Sequence, residues 1–109
     1  MTGKYLGHWQ QEIDNWVQQH EKPYWEPLSI LARVTEEVGE VSRLLNHLYG
    51  DKPKKLTEAR QELDEEIADV IYALMCLANR EGIDLDKAME KALSKAKTRD
   101  KDRFNKKPI

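Results

Sequence analysis

One cysteine, Cys76, in 109 residues leaves no intrachain disulfide and no cysteine-built zinc site. It points to a reducing, cytoplasmic setting. Glycine and proline are scarce, with five and four copies, which excludes collagen-like and low-complexity chains. Long apolar runs are missing. The longest runs from Val70 to Ala78, well short of the ~20 residues that a membrane-crossing helix needs. The opening MTGKYLGHWQ has no apolar leader. No stretch shows the two-residue alternation of a half-buried strand. An excess of one charge is missing too. The net charge is −2, so bulk charge argues for neither a nucleic-acid nor a membrane partner. There is no G-x-x-x-x-G-K string, which excludes a P-loop. None of His8, His20 and His47 has a Glu three residues earlier, so the Glu-x-x-His pairs of di-iron carboxylate bundles are absent.

What is present reads as helix. Charged residues are 35% of the chain and hydrophobic residues 39%, within the range of one ordered domain. The expected domain is 1–109, with a core over about 5–97 and a basic, flexible tail over 98–109. Leu6, Trp9, Ile13, Trp16 and Val17 predict a helix over 5–19, with Trp9 and Trp16 in the core. Pro23 and Pro27 break it. Leu31, Val34, Val38, Val41, Leu45 and Leu48 form a stripe over 28–48, closed by Gly50. Thr57 is the expected cap of a third helix reaching about residue 81, with the stripe Leu63, Ile67, Val70, Leu74 and Leu77. Asp84 is the expected cap of a fourth, carrying Leu85, Ala88, Met89, Ala92 and Ala96. Short connections make neighbours antiparallel. The fold predicted is all-α, a four-helix bundle whose central antiparallel pair is helices two and three.

That pair carries a doubled string. Residues 36–41 read EEVGEV and residues 65–70 read EEIADV. Acids three apart share a helix face, with β-carbons about 5–6 Å apart, so Glu37/Glu40 and Glu66/Asp69 form two acidic pairs in matching phase. Glu37 also interrupts a second apolar stripe, between Ile30 and Leu44. Carboxylates gathered there raise one another's pKa values. They must keep protons, pair with Lys or Arg, or bind a metal. No base lies within one turn on the interior side of either string, Arg33 and Arg43 being the flanking ones. An all-oxygen set suits Mg²⁺ or Mn²⁺ rather than zinc. Gly39 and Ala68, between the paired acids, suggest a need for room, either for close helix packing or for a ligand.

The pattern Glu36-Glu37-x-x-Glu40 followed by Glu66-x-x-Asp69, with the apolar stretch 70–78 behind it, resembles the MazG-like nucleotide pyrophosphohydrolases of the all-α NTP pyrophosphatase superfamily. The resemblance is best over about 28–80. It implies hydrolysis of a canonical or modified (d)NTP to the monophosphate and pyrophosphate, a housecleaning role in the nucleotide pool. It implies Mg²⁺, which Mn²⁺ can replace, held by Glu37, Glu40, Glu66 and Asp69. Glu36 is the candidate to orient water. Tyr72 and Trp25 are candidates to contact the substrate, and Lys95, Lys97 and Arg99 to hold its phosphates. The resemblance also implies a homodimer or homotetramer. The competing reading is a non-catalytic helical oligomerisation or regulatory module, in which the four acids meet solvent or Lys/Arg instead of metal.

Overall fold

A computed structural model of the chain describes residues 5–52 and 62–108. Four helices carry them: α1 (Leu6–Val17), α2 (Pro27–Tyr49), α3 (Leu63–Arg80) and α4 (Leu85–Arg99). No strand occurs among the described residues. The predicted cap Thr57 lies outside them. The tail predicted from 98 begins slightly later, because α4 continues to Arg99 before a turn at Asp100.

Local sequence explains the helix ends. Pro27 opens α2, where its missing N–H costs nothing. Asp84 caps α4 as the sequence predicts, its Oδ1 accepting from Asp86 N at 3.0 Å and Lys87 N at 3.3 Å. At the end of α3, Ile83 N donates to Ala78 O and Gly82 N to Asn79 O, with Gly82 at φ +69°. These are the two bonds of a Schellman stop, and its left-handed position favours glycine. Asp86 in turn caps α1 from a distance. Its Oδ1 accepts from Leu6 N and its Oδ2 from Gly7 N, both at 3.1 Å. A β-carbon on Gly7 would meet Asp86 Oδ2 at 2.7 Å, so glycine permits this approach.

A polar hub fastens α1 to the α3–α4 turn. Gln10 is buried, and its Nε2 donates to Asn79 Oδ1 and to Ile83 O while its Oε1 accepts from Leu85 N. Asn79 Nδ2 donates to Gln10 O and to Tyr24 Oη, and Tyr24 Oη donates to Asp14 Oδ1 at 2.6 Å. The proline-flanked loop is thereby tied to both α1 and α3. Burial, and then the bond to Asp14, push the Tyr24 hydroxyl pKa far up against the opposing bond from Asn79, so it stays protonated as a donor.

The main packing is α2 against α3, with α1 lying on α3 and α4 leaning on α1. The buried seam is not the predicted one. In α2 the buried residues are Ile30 and Leu44, while Leu31, Val38, Leu45 and Leu48 are exposed. In α3 they are Glu66, Ala73, Met75 and Ala78, while Ile67, Ile71 and Leu74 are exposed. In α1 they are Gln10 and Val17, and the two tryptophans predicted for the core are 46% (Trp9) and 56% (Trp16) exposed. In α2 and α3 the most buried positions stand one residue from the predicted stripe, ~100° of helix, while Val34, Val41, Leu63, Val70 and Leu77 of that stripe are half-buried and Val17 of the α1 stripe is buried as predicted. The chain buries the stripe that contains acids and leaves much of the purely apolar stripe exposed. Gly39 has open space beside it, with no atom within 4 Å of a built β-carbon, so close packing within the chain does not account for it.

Candidate active site

The buried stripe of α2 runs Ile30, Glu37, Leu44, and that of α3 includes Glu66 and Ala73. The two acids therefore sit inside the interhelical seam, one step deeper than the seam-edge placement read from the sequence. One carboxylate oxygen each from Glu37, Glu66 and Asp69 lies within 4.8 Å of the others. Glu37 is half-buried, Glu66 is 5% exposed and Asp69 faces solvent. Glu40 stands close enough to act on Glu66. Glu36 is exposed on α2.

The expectation that no base reaches these acids is corrected for two of them. Arg33 Nε donates to Glu37 Oε1 at 3.3 Å, and Arg43 Nη1 donates to Glu40 Oε2 at 3.3 Å. They stand four before and three after their partners, spacings at which helix side chains meet. That signal was present in the sequence. Glu66 differs: among the described residues no Lys or Arg pairs with its carboxylate. Its pKa is raised, first by burial and then by the charges of Asp69, Glu40, Glu37 and Glu65.

The donor set fits a hard cation. It offers only oxygens, and ligands of an octahedral Mg²⁺ stand about 3 Å apart when neighbouring and about 4.2 Å when opposite. The three oxygens lie within 4.8 Å of one another, so they would draw together around a bound ion. The mixture of burial depths suits a metal that keeps several waters, as Mg²⁺ does.

A cavity of about 260 Å³ opens beside Arg33, lined among others by His20, Lys22, Trp25, Tyr72 and Cys76. Trp25 and Tyr72, both anticipated from sequence, thus share one recess. Arg33 also lies over the Trp25 ring, 5.8 Å from its centre. Cys76 is half-buried on the cavity wall. Burial raises its thiol pKa, and burial together with the neighbouring Cys76 raises that of Tyr72, so both are protonated. Lys95, Lys97 and Arg99 line none of this cavity. Lys95 and Arg99 border a shallow groove made by α4 alone, and Arg99 Nη2 pairs with Asp100 Oδ2 at 3.0 Å.

The family model for the MazG nucleotide pyrophosphohydrolase domain matches residues 25–104. The chain belongs to the MazG nucleotide pyrophosphohydrolase family. The MazG match takes in α2, α3 and α4 and begins at Trp25, on the cavity wall. YpjD of Bacillus subtilis (strain 168) is 45% identical over 107 residues, covering 98% of this chain and 96% of that one. Two crystal structures share the MazG architecture. That of YPJD from Bacillus subtilis superposes with a TM-score of 0.77 at 43% identity, over 87% of this chain and 97% of the other. That of the Bacillus-conserved MazG protein, a nucleotide pyrophosphohydrolase, does so with a TM-score of 0.77 at 37% identity, over 94% and 99%.

Proposed function

We propose that this MazG domain hydrolyses a canonical or modified nucleoside triphosphate to the monophosphate and pyrophosphate, with Mg²⁺ as cofactor and Mn²⁺ as an effective substitute. The observation that carries the reading is Glu66: a carboxylate 5% exposed, without a cationic partner among the described residues, under the charges of four further acids. A buried carboxylate in that setting is costly unless something positive joins it.

Glu37, Glu40, Glu66 and Asp69 would hold the ion. When bound, it neutralises phosphate charge and lowers the pKa of a coordinated water. The remaining work falls to positioning, which dominates phosphoryl transfer and needs no covalent nucleophile. Glu36 orients the attacking water. Trp25 and Tyr72 receive the base in the 260 Å³ cavity, the indole by stacking and the protonated tyrosine hydroxyl by a hydrogen bond. Lys95, Lys97 and Arg99 hold phosphates. As they border no part of the cavity within one chain, this last assignment calls on a second copy.

Two observations support a homodimer or homotetramer. The exposed stripes of α2 and α3 leave a broad apolar face, and α4 buries none of its residues. The Cα radius of gyration is 17.8 Å, against about 13 Å for a compact chain of this length. No described helix is long and apolar enough to cross a membrane. With one cysteine, this agrees with nucleotide-pool housecleaning in the cytoplasm.

The test is pyrophosphate release from a panel of canonical and modified (d)NTPs with Mg²⁺. Activity on none of the panel, in protein that is folded and binds Mg²⁺, would refute the enzymatic reading. The ion pairs Arg33–Glu37 and Arg43–Glu40 favour one alternative, a non-catalytic helical module whose acids are balanced by arginine. Anomalous scattering from a Mn²⁺-soaked crystal separates the two: an ion at Glu66 excludes the module.

A further inference from the structure

Arg33 touches both halves of the site. Its Nε donates to Glu37 Oε1 at 3.3 Å, its guanidinium lies 5.8 Å from the centre of the Trp25 ring, and it lines the cavity with Tyr72 and Cys76. A guanidinium has five donors, no acceptor, and a charge it does not lose. Glu37 therefore has two suitors. In the bare protein Arg33 neutralises it. A dication on the same carboxylate competes for Oε1 and repels the guanidinium. The open direction for Arg33 is then along the Trp25 face into the cavity, where a stacked arginine remains able to donate to phosphate oxygens in pairs.

We propose that Arg33 is a positioning residue that couples cation binding at Glu37 to nucleotide binding in the Trp25 cavity. This rests on the reading that the acids hold a divalent cation and the cavity holds the base. Metal-free protein presents Glu37 already paired with Arg33. Metal-loaded protein presents a released guanidinium to the triphosphate. Cation therefore binds first and nucleotide second, and the order is set by an ion pair one helical turn long.

Opposite changes in two affinities test this. Replacing the guanidinium by a neutral amide, Arg33→Gln, removes the competitor for Glu37. Mg²⁺ affinity measured by calorimetry should rise about two- to five-fold, the equivalent of one partly exposed ion pair. The same substitution removes a charged donor to the triphosphate, so KM should rise about ten-fold or more with a much smaller change in kcat. Arg33→Lys keeps the charge and should restore the wild-type Mg²⁺ affinity while recovering only part of the KM. A third readout needs no change at Arg33. In a Trp9→Phe, Trp16→Phe background Trp25 is the sole indole, and Mg²⁺ should shift its emission as the guanidinium moves. That shift should vanish when Arg33→Gln is added. Equal or weaker Mg²⁺ binding by Arg33→Gln, an unchanged KM, or a Trp25 emission indifferent to Mg²⁺ overturns the coupling while leaving the metal reading intact. Absence of Mg²⁺ binding by the wild type overturns both.

Discussion

Glu66→Gln should stabilise the metal-free protein and destabilise the metal-loaded one. Glu66 is 5% exposed, and the nearest oxygens of Glu37 and Asp69 lie within 4.8 Å. Two full charges at that separation repel by about 3 kcal/mol at an effective dielectric of 20. Asp69 is exposed and Glu37 is paired with Arg33, so solvent and guanidinium absorb much of this. About 1–2 kcal/mol remains as the expected gain from an uncharged isostere. For a chain this size that is a rise in melting temperature of roughly 4–12 °C. In Mg²⁺ at a hundred times Kd, the wild type gains about 2.7 kcal/mol from binding, and the variant forfeits most of it. The order of stabilities should therefore invert between EDTA and MgCl₂, which thermal melts followed by circular dichroism would read directly.

The pH dependence has a definite sign. The folded-state pKa of Glu66 is raised, chiefly by burial. Folded protein thus binds a proton that unfolded protein has released, across the window between the unfolded value of 4.5 and the raised one. The stability belonging to this group is fully present below 4.5 and is lost as pH rises through the folded value. In EDTA the advantage of Glu66→Gln over wild type should shrink as pH falls toward that window. A variant less stable than wild type in EDTA at neutral pH would refute the reasoning, because Glu66 would then be a satisfied group.

Three further outcomes follow from the same contacts. Asp69→Asn and Glu37→Gln should reduce pyrophosphate release by two orders of magnitude or more at unchanged helicity, since each removes a charge that positions the ion; retained turnover would displace them from the ligand set. Gln10→Ala strands Leu85 N, Ile83 O and Asn79 Oδ1 and should cost about 2–4 kcal/mol in chemical denaturation. Val38→Glu, at a residue 49% exposed on the outer face of α2, should leave the monomer folded but lower the assembled mass measured by light scattering.

The number of helices, the Asp84 cap, the Gly82 stop and the doubled acid string were all legible, because each is a local pattern with a local cause. The rotation of the helices was not. In α2 the stripe 31, 38, 45 is wholly apolar, whereas 30, 37, 44 is interrupted by Glu37, so hydrophobicity alone selects the former. The fold buries the latter. The same one-residue shift recurs in α3 (66 and 73 buried in place of 67 and 74) and at the first turn of α1 (10 in place of 9), while Val17 is buried as its pattern predicts. In α1 the buried position is Gln10, a residue whose burial depends on partners 69 to 75 positions away. Periodicity cannot see such partners. Arg33 and Arg43 were legible as the bases flanking the first string, and their pairing with Glu37 and Glu40 follows from local i,i+4 and i,i+3 spacing.

Charge balance joins these threads. Glu37, Glu40, Glu66 and Asp69 bring four negative charges to one stretch of seam, and Arg33 and Arg43 return two positive ones. The remainder among these six groups is two negative charges, with Glu65 also acting on Glu66, and on the proposed reading a divalent cation offsets them. Full compensation by arginine would have made a static ion-pair network, stable without metal and closed to it. No compensation would have left four carboxylates that the α2–α3 seam has no means to hold. Half compensation lets the helices pack while leaving Glu66, the most buried acid, as the group that only a proton or a cation can satisfy. The apolar stripes turned outward fit the same division: one face of the central pair is committed to charge, and the other carries the exposed apolar side chains Leu31, Val38, Ile67 and Leu74.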